Sequence, residues 1–309
     1  MLIRNFGKTG LKASAVGMGT WNIGNQWGEL SDETVAETID AALESGITVF
    51  DTADAYGIPG GLSEQRLGKA LQGKRDQVLL ITKFGNWAKR FGGEMQFTCA
   101  DMVIEACHAS LFRLKTDWVD VALCHLNDLP PQQTAPWLDG FDELKRRGLI
   151  RFAGISTDSL DVLKDFNQRG SCDVVELDYS LINKEPETNG ILDYCQQQGI
   201  AVLVRGPLAQ GILSGRYTRE SVFTDTIRSA WNPGGAGREA YLEKMDRLDK
   251  VVAVAGSDSL AQTALRYVLS HPVHPVVIPG AKSATQARQN AAAGEQELEA
   301  ALYQKLREI

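Results

Sequence analysis

The chain has 309 residues, of which 43% are hydrophobic and 23% charged, a composition typical of a globular protein with a large buried core. Its formal net charge of -7 argues against a nucleic-acid-binding surface, because phosphate binding needs clustered lysine and arginine. No stretch approaches the roughly 18 apolar residues of a membrane-spanning helix. Residues 1–10 lack the apolar segment of a signal peptide, and the five scattered cysteines include no Cys-x-x-Cys pair. We therefore expect a cytoplasmic protein with reduced thiols and no membrane partner.

Short apolar runs alternate along the chain with segments of helical periodicity. Residues 3–6 and 11–14, around Lys8-Thr9-Gly10, predict a β-hairpin. Eight later runs indicate strands, and most of them are continuously hydrophobic, as expected for parallel strands covered on both faces. These predicted strands are 15–18, 49–51, 78–82, 119–124, 152–155, 174–177, 201–204 and 276–278.

Helical segments with clear ends lie between the predicted strands. Ser31 caps the first, Val35 and Ile39 share one face of it, and Gly46 ends it. Two helices are predicted after strand seven, over 238–255 and 259–270, and a last one over 295–307. Eight strand–helix units predict an α/β fold, a (β/α)8 TIM barrel with an N-terminal β-hairpin and extra C-terminal helices, as one domain over 1–309.

A doubly wound dinucleotide-binding sheet is the alternative fold, and the sequence disfavours it. GMGTWN at 17–22 falls short of the glycine-rich fingerprint, because Asn22 stands where the third glycine belongs. No acidic residue ends a second strand at the expected distance. The barrel is therefore the preferred fold.

Polar residues follow the predicted strands where each strand ends. In a barrel of this type the chemistry takes place at the carboxyl ends of the strands. Each of these residues alone could have a purely structural role, such as one half of an ion pair. Their convergence on one rim of the barrel favours a functional site. In strand order they are Gly19-Thr20-Trp21, Asp51, Lys83, His125, Ser156-Thr157, Glu176, Arg205 and Gly280 with Lys282.

An aspartate, a tyrosine, a lysine and a histidine in one cleft suit one kind of chemistry. A phenol has a pKa of roughly 10, and a nearby ammonium lowers it by stabilising the phenolate. A carboxylate keeps the lysine charged, and an imidazole can orient a carbonyl oxygen by a hydrogen bond. Together these groups protonate an oxygen that gains negative charge, as carbonyl reduction by hydride requires. No residue spacing indicates a metal site, and none is expected.

Several segments resemble the aldo-keto reductase superfamily. FDTADAYG, LLITKFG, LKTDWVDVALCH, GPLAQGILSGRY and VIPGAKS occur in the family's order, and the resemblance extends from the N-terminal hairpin to Asn290. It implies a nicotinamide cofactor bound without a Rossmann fold. It also implies a catalytic tetrad in which Tyr56 is the general acid, Lys83 and Asp51 tune it, and His125 orients the carbonyl.

The segment after strand eight is the expected phosphate site of the cofactor. Ser283 and Gln286 form a capping-box pattern, and Lys282 precedes it, so free amides and a cation meet at one helix start. This arrangement suits the 2′-phosphate of NADP(H), with NAD(H) as the alternative cofactor. The alternative to a phosphate site is a capped helix on the surface with no ligand. The resemblance extends the cofactor site to the loop 207–215. The expected cofactor-binding residues are Gly19, Thr20, Trp21, Ser156, Thr157, Glu176, Arg205, Pro207, Leu208, Gln210, Gly211, Ser214, Gly280, Lys282, Ser283, Gln286 and Asn290.

Three of these positions depart from the common family pattern. Thr157 replaces an asparagine, Glu176 a glutamine, and Arg205 an aromatic residue that stacks on the nicotinamide. We expect Glu176 and Arg205 to pair, with the planar guanidinium stacked on the nicotinamide ring. The alternative is that Arg205 binds a polar or anionic substrate.

The loops above the tetrad are expected to form the substrate pocket through Trp21, Trp87 and Trp231. No long segment follows the last predicted helix, so we expect an open, polar mouth that suits a small polar aldehyde or ketone, such as a sugar-derived carbonyl. Two other functions stay open: an NAD(P)-dependent sugar dehydrogenase and a non-catalytic NADP-binding subunit. Whether the chain is a monomer or a homo-oligomer also stays open.

Overall fold

The computed structural model describes residues 1–256 and 259–309 and contains the predicted hairpin and barrel. Strands β1 (Ile3–Asn5) and β2 (Lys12–Ser14) pair antiparallel ahead of the barrel. The barrel strands, all parallel to their neighbours, are β3 (Met18–Gly19), β4 (Val49–Asp51), β5 (Leu79–Phe84), β6 (Val119–Cys124), β7 (Ile150–Ser156), β8 (Val174–Asp178), β9 (Ala201–Arg205) and β10 (Val276–Val277).

The eight parallel strands of the described residues lie in chain order around the sheet, from β3 at one edge to β10 at the other. Two parallel bridges, Val16 to Val277 and Gly19 to Gly280, join these edges and bring the barrel close to closure. Gly19 permits this approach, because a Cβ there would lie 2.6 Å from the carbonyl oxygen of Ile278. The (β/α)8 prediction is confirmed, although the first and last strands are shorter than predicted.

Helices cover the outside of the barrel, and α1 begins at Ser31 as predicted, with the Ser31 hydroxyl accepting a hydrogen bond from the Thr34 amide at 3.2 Å. The extra C-terminal helices are also present as α8, α9 and α11. The described helices are α1 (Asp32–Glu44), α2 (Leu62–Ala70), α3 (Trp87–Arg90), α4 (Ala100–Leu114), α5 (Pro131–Arg146), α6 (Leu160–Phe166), α7 (Ile191–Gln198), α8 (Arg238–Ala255), α9 (Leu260–Leu269), α10 (Ala284–Ala293) and α11 (Ala300–Arg307).

The hairpin closes the amino-terminal end of the barrel. Phe6 is buried in the same apolar cluster as the barrel-interior residues Val49, Ile81 and Val121. The Lys8 amide donates a hydrogen bond to the Gly199 carbonyl at 2.7 Å, which ties the hairpin to the turn before β9. The open end of the barrel is therefore the one at which the strands' carboxyl ends meet. Among the described helices, none combines the length and apolar composition needed to cross a bilayer.

Candidate active site

A cavity of about 1290 Å³ opens at the carboxyl ends of the barrel strands. Asp51, Tyr56 and His125 line it, whereas Lys83 is fully buried behind them. The cavity also reaches most of the expected cofactor-binding residues. Those on its wall are Gly19, Trp21, Ser156, Glu176, Arg205, Pro207, Leu208, Gln210, Gly211, Ser214, Gly280, Lys282, Gln286 and Asn290.

Two buried carboxylates share the ammonium group of Lys83. Lys83 Nζ lies 2.6 Å from each carboxylate oxygen of Asp51, on the neighbouring strand β4, and 2.9 Å from Glu176 Oε2 on β8. Burial acts to lower the pKa of Lys83, but the charges of Asp51 and Glu176 outweigh it, so the lysine stays protonated. Burial and the charge of Glu176 also hold the pKa of Asp51 well above its usual range. Lys83 is therefore held between two buried carboxylates.

Tyr56 lies beside this cluster and is only 8% exposed. Lys83 Nζ is 5.2 Å from the centre of the Tyr56 ring, and the ring stacks on Trp21 at a centroid distance of 5.7 Å. Burial raises the pKa of Tyr56 to about 12; Lys83 acts in the opposite direction, and Asp51 and Glu176 add to the rise. The pKa below 10 expected from the lysine alone is therefore not found, and Tyr56 keeps its proton at neutral pH.

His125 follows β6 and presents its ring to Tyr56. Its amide donates to the Phe84 carbonyl at 2.9 Å, and the two rings meet edge to face at 5.8 Å. Burial and the charges of Lys83, Arg90 and Arg205 hold the pKa of His125 well below its usual value, so the imidazole is neutral. Its Nδ1 is buried without a hydrogen-bond partner among the described residues. A neutral imidazole of this kind can hydrogen-bond a group that enters the cavity.

Asp54 links the loop that carries Tyr56 to the strand that carries Lys83. Its amide donates to the Lys83 carbonyl at 2.8 Å, and its Oδ2 accepts from the Gly85 amide at 3.1 Å. Burial raises the pKa of Asp54 to about 7, with a further contribution from the charge of Glu64. Asp54 is therefore a buried connection between the loop that carries Tyr56 and the end of β5.

The start of α10 has the predicted capping arrangement. Ser283 Oγ accepts from the Gln286 amide at 3.3 Å, and Gln286 Oε1 accepts from the Lys282 amide at 2.8 Å. Lys282 Nζ donates to the Trp27 carbonyl at 2.9 Å, and Asn290 Nδ2 donates to the Gly280 carbonyl at 3.2 Å. These contacts hold a cation and a helix start at one end of the cavity, which suits an anionic group.

The loop after β9 has an unusual backbone where it borders the cavity. Ala209, Gln210 and Gly211 have φ values of 48°, 57° and 94°, in the left-handed region. Side-chain-bearing residues seldom adopt this conformation, and such strain is concentrated at ligand-binding loops. Nothing in the sequence at Ala209 or Gln210 signals this conformation, because both residue types are ordinary in helices.

The expected pair between Glu176 and Arg205 is absent, and this prediction was wrong. Glu176 binds Lys83 in the barrel interior, whereas Arg205 forms an ion pair with Asp158, in the loop after β7. Asp158 is also held, since its Oδ1 accepts from the Asp178 amide at 2.7 Å. Glu176 points towards the barrel axis and therefore meets the buried lysine, while Arg205 at the rim meets an acid from the loops.

Two of the three expected substrate-binding tryptophans lie away from the cavity, which corrects that prediction. Trp87 is 38% exposed and packs on Phe91, with ring centres 5.5 Å apart. Trp231 is buried and stacks on Tyr241 at 5.2 Å, so it belongs to the core beneath its loop. Trp21 is on the cavity wall, and Trp27 lines it as well.

Three expected cofactor residues have side chains bound to the protein rather than on the cavity wall. Thr20 Oγ1 donates to the Asp51 carbonyl at 2.8 Å, and Thr157 Oγ1 donates to the Asn127 carbonyl at 2.7 Å. The Ser283 hydroxyl caps α10, as described above. Their side chains are therefore better explained as supports for the strand ends and for the helix start.

The structure also brings to the site residues that sequence reasoning missed. Gln26 Oε1 accepts from Trp21 Nε1 at 2.6 Å and from the Gly57 amide at 2.9 Å, so it fixes both sides of Tyr56. Arg90 lines the cavity beside Trp21, and Asp158 anchors Arg205. Gln26 and Asp158 lie in loops, and Arg90 ends a helix of four residues, so no periodicity in the sequence signals the direction of these side chains.

Comparison with known proteins agrees with this architecture. The sequence matches the Aldo/keto reductase family over residues 15–309. It is 35% identical over 287 residues to the aldo-keto reductase YhdN of Bacillus subtilis (strain 168), which covers 90% of this chain and 84% of the relative. It is 32% identical over 311 residues to the NADH-specific methylglyoxal reductase of Escherichia coli (strain K12), which covers 93% of this chain and 91% of the relative.

Solved structures show the same relationship. The holo form of the aldo-keto reductase AKR11C1 from Bacillus halodurans superposes with a TM-score of 0.80 at 30% identity, covering 100% of this chain and 96% of that one. An aldo-keto reductase from Klebsiella pneumoniae in complex with NADPH superposes with a TM-score of 0.73 at 25% identity, covering 100% and 95%. The chain therefore belongs to the aldo/keto reductase family, whose members are NADP(H)-dependent oxidoreductases acting on carbonyl groups.

The cavity has the charge and the free polar atoms that a nicotinamide dinucleotide needs. Eight lysine and arginine side chains line it against four acidic ones, although acids outnumber lysine and arginine by 39 to 32 in the chain as a whole. Glu176 Oε1 is buried without a hydrogen-bond partner among the described residues. A buried polar atom of this kind is costly unless a bound group satisfies it, and an amide N–H is a suitable donor. The residues present therefore fit NADP(H).

Proposed function

We propose that this chain is an NADPH-dependent aldo-keto reductase that reduces a small polar aldehyde or ketone, with Tyr56 as general acid. The observation that carries the proposal is the buried phenol of Tyr56 between the ammonium of Lys83 and the ring of His125, at the wall of a large cavity. The three groups are those that donate a proton, stabilise the resulting charge and orient an oxygen.

A bound NADPH supplies the hydride that reduces the carbonyl carbon. The Tyr56 hydroxyl donates its proton to the carbonyl oxygen as negative charge develops there. Lys83 stabilises the phenolate that remains, and Asp51 fixes the lysine through two contacts of 2.6 Å. His125, neutral because of burial and three nearby cations, donates a hydrogen bond to the carbonyl oxygen and holds it towards Tyr56.

The cofactor would lie along the cavity from Glu176 to α10. Glu176 and Ser156, with Arg205, would hold the nicotinamide end, and the loop 207–215 would hold the pyrophosphate. Lys282, Gln286 and Asn290 would hold the adenosine phosphate. The similarity to the Klebsiella pneumoniae aldo-keto reductase in complex with NADPH supports NADP(H) as the cofactor. The similarity to the NADH-specific methylglyoxal reductase keeps NAD(H) as the alternative.

The substrate end of the cavity is polar. Asn86, Arg90 and Gln133 line the cavity together with Tyr56 and His125. Such a wall favours small carbonyls with further oxygen atoms, such as sugar-derived aldehydes, and the methylglyoxal reductase relative supports this class. The free cysteines of the described residues, four of them buried, support a cytoplasmic, reducing location.

Two other functions have less support. Oxidation of a sugar hydroxyl would use the same residues in reverse, but it requires Tyr56 as a base, and burial favours its protonated form. A non-catalytic NADP-binding subunit would not need the four groups of the tetrad to be assembled around one cavity.

The proposal is tested by following NADPH absorbance with a panel of methylglyoxal, glyceraldehyde, hexanal and benzaldehyde. We expect turnover, with higher kcat/KM for the two polar carbonyls. Tight NADPH binding without oxidation by any member would contradict the proposal and favour the subunit function. Turnover only with NADP⁺ and sugars would favour the dehydrogenase.

A further inference from the structure

Arg90 is a cation at the cavity wall with no acidic partner among the residues that the structure describes. It ends the short helix α3, which follows β5, and its guanidinium carbon lies 5.0 Å from the centre of the Trp21 ring. Trp21 in turn stacks on Tyr56. Arg90 forms no ion pair of 4.0 Å or less with any described residue, and its Nε is buried without a hydrogen-bond partner among them.

Two other arginines of the cavity, Arg205 and Arg228, have acidic partners. Arg205 pairs with Asp158, and Arg228 is held by Asp225 at 2.7 Å. An N–H donor that is withdrawn from water, as Arg90 Nε is, needs an acceptor, and burial without one is unfavourable. Within the described part of the chain, Arg90 therefore differs from Arg205 and Arg228 in having no acidic partner.

The position of Arg90 relates it to the reacting atoms. Its charge acts on both Tyr56 and His125, where it lowers the pKa of each group, although burial has the larger effect on both. A group held by Arg90 would therefore lie near the carbonyl that these residues address. Lys282, by contrast, is placed at the start of α10, where we assign the adenosine phosphate.

We propose that Arg90 binds an oxyanion of the substrate, so that the preferred substrates are aldehydes or ketones that carry a carboxylate or phosphate group. This inference rests on the proposed function and narrows its substrate class. The guanidinium has a planar fork of donors that matches both oxyanions, and its ring contact with Trp21 holds that fork in place. Lys89, the preceding residue, lines the same wall and adds positive charge.

Matched substrate pairs test the proposal. Glyceraldehyde and glyceraldehyde 3-phosphate differ by a phosphate, and butanal and succinic semialdehyde by a carboxylate. For at least one pair, we expect the protein to show a higher kcat/KM for the anionic member. In Arg90→Met the ratio of anionic to neutral kcat/KM should fall about 10- to 100-fold, the range of a hydrogen bond to a charged group. Any effect of Arg90 on Tyr56 acts on both members and cancels in the ratio.

Two further variants separate specific binding from general charge. Lys89→Met removes one charge from the same wall, and it should change the ratio by less than about 3-fold because its flexible ammonium is solvated. Arg90→Lys keeps the charge but loses the fork, so its ratio should lie between those of the unmodified protein and Arg90→Met. If Arg90→Met does not fold, Arg90→Lys provides the comparison with the unmodified protein. Equal ratios in the Arg90 variants and the unmodified protein would overturn the proposal.

A binding measurement decides the question without turnover. Malonate and inorganic phosphate are titrated calorimetrically into the NADP-loaded protein, in which the cofactor occupies its own phosphate sites. At least one probe should bind, and its Kd should rise about 10-fold or more in Arg90→Met. An unchanged Kd, or no binding of either probe, would overturn the proposal. Reduction of the neutral carbonyls alone would overturn this inference and leave the proposed function standing.

Discussion

Glu176 Oε2 accepts a hydrogen bond from Lys83 Nζ at 2.9 Å. The same ammonium contacts Asp51, so the lysine that should make Tyr56 acidic is shared by two acids. Both carboxylates raise the pKa of Tyr56, while the lysine lowers it. Glu176 therefore acts through charge on Tyr56, the proposed proton donor, in addition to any contact with the cofactor.

Replacing Glu176 by glutamine should make Tyr56 more acidic. The substitution removes one carboxylate charge that raises the pKa of Tyr56, now about 12. Since reduction requires the protonated phenol, the alkaline fall in kcat/KM should move to lower pH by about one pH unit, or ~1.4 kcal/mol. A pH profile of kcat/KM measures this, with Glu176→Asp as the charge-preserving control. An alkaline limb that stays in place would show that Glu176 does not tune Tyr56.

Arg205 is expected to affect the cofactor more than the substrate. Arg205 lies at the end of β9, and its side chain is anchored by Asp158, so a planar cation borders the cavity. A cation there disfavours the positively charged oxidised nicotinamide. In Arg205→Tyr the ratio of Kd for NADP⁺ to Kd for NADPH should therefore fall, and Asp158→Asn, which leaves the arginine unneutralised, should raise it. A change confined to substrate KM would place Arg205 in the substrate pocket instead.

Lys282 should distinguish NADPH from NADH. Its ammonium lies at the start of α10, bound to the Trp27 carbonyl at 2.9 Å. In Lys282→Met the Kd for NADPH should rise about 10-fold, the effect of one charge-assisted hydrogen bond, with little change for NADH. Arg288→Met is the control, because Arg288 is on the same helix but pairs with Glu44 outside the cavity. Equal weakening of both cofactors would refute a role in phosphate recognition.

Much of this architecture could be predicted because it depends on local pattern. Continuous apolar runs indicate the strands. Because residues at strand ends must converge on one rim of the barrel, Asp51, Lys83 and His125 could be predicted to lie close together. The pairing of Lys83 with Glu176 could not be predicted, since these residues lie three strands apart in the sheet and meet only across the barrel interior.

The other residues that were placed wrongly or missed lie in the segments that follow the strands. Trp231 and Arg90 both lie in segments without periodicity, so nothing in the sequence shows that the tryptophan turns into the core and the arginine towards the cavity. Side-chain direction in such segments is decided by contacts with residues that are distant in the sequence. Here Trp231 is stacked on Tyr241, and Arg90 lies over Trp21.

Asp54 should make the stability of the protein depend on pH. Its pKa is about 7 in the folded chain and ordinarily 3.8, so the folded state holds this proton more tightly than the unfolded state. Stability should therefore fall as pH rises from about 4 to about 7 and level off above, by as much as about 4 kcal/mol. Asp54→Asn keeps an acceptor for the Gly85 amide and should lack this fall. Urea unfolding of both proteins at pH 5 and pH 8 measures the difference. Parallel pH dependence in the two proteins would refute a raised pKa at Asp54.

Replacing Tyr56 by phenylalanine tests the central claim most directly. The substitution removes the proposed proton donor and keeps the ring that stacks on Trp21. With methylglyoxal and NADPH, kcat should fall about 10²- to 10⁴-fold, the usual contribution of a general acid. NADPH titration of the same variant should give a Kd close to that of the unmodified protein. A variant that binds NADPH and reduces methylglyoxal at the unmodified rate would contradict the assignment of Tyr56 as general acid.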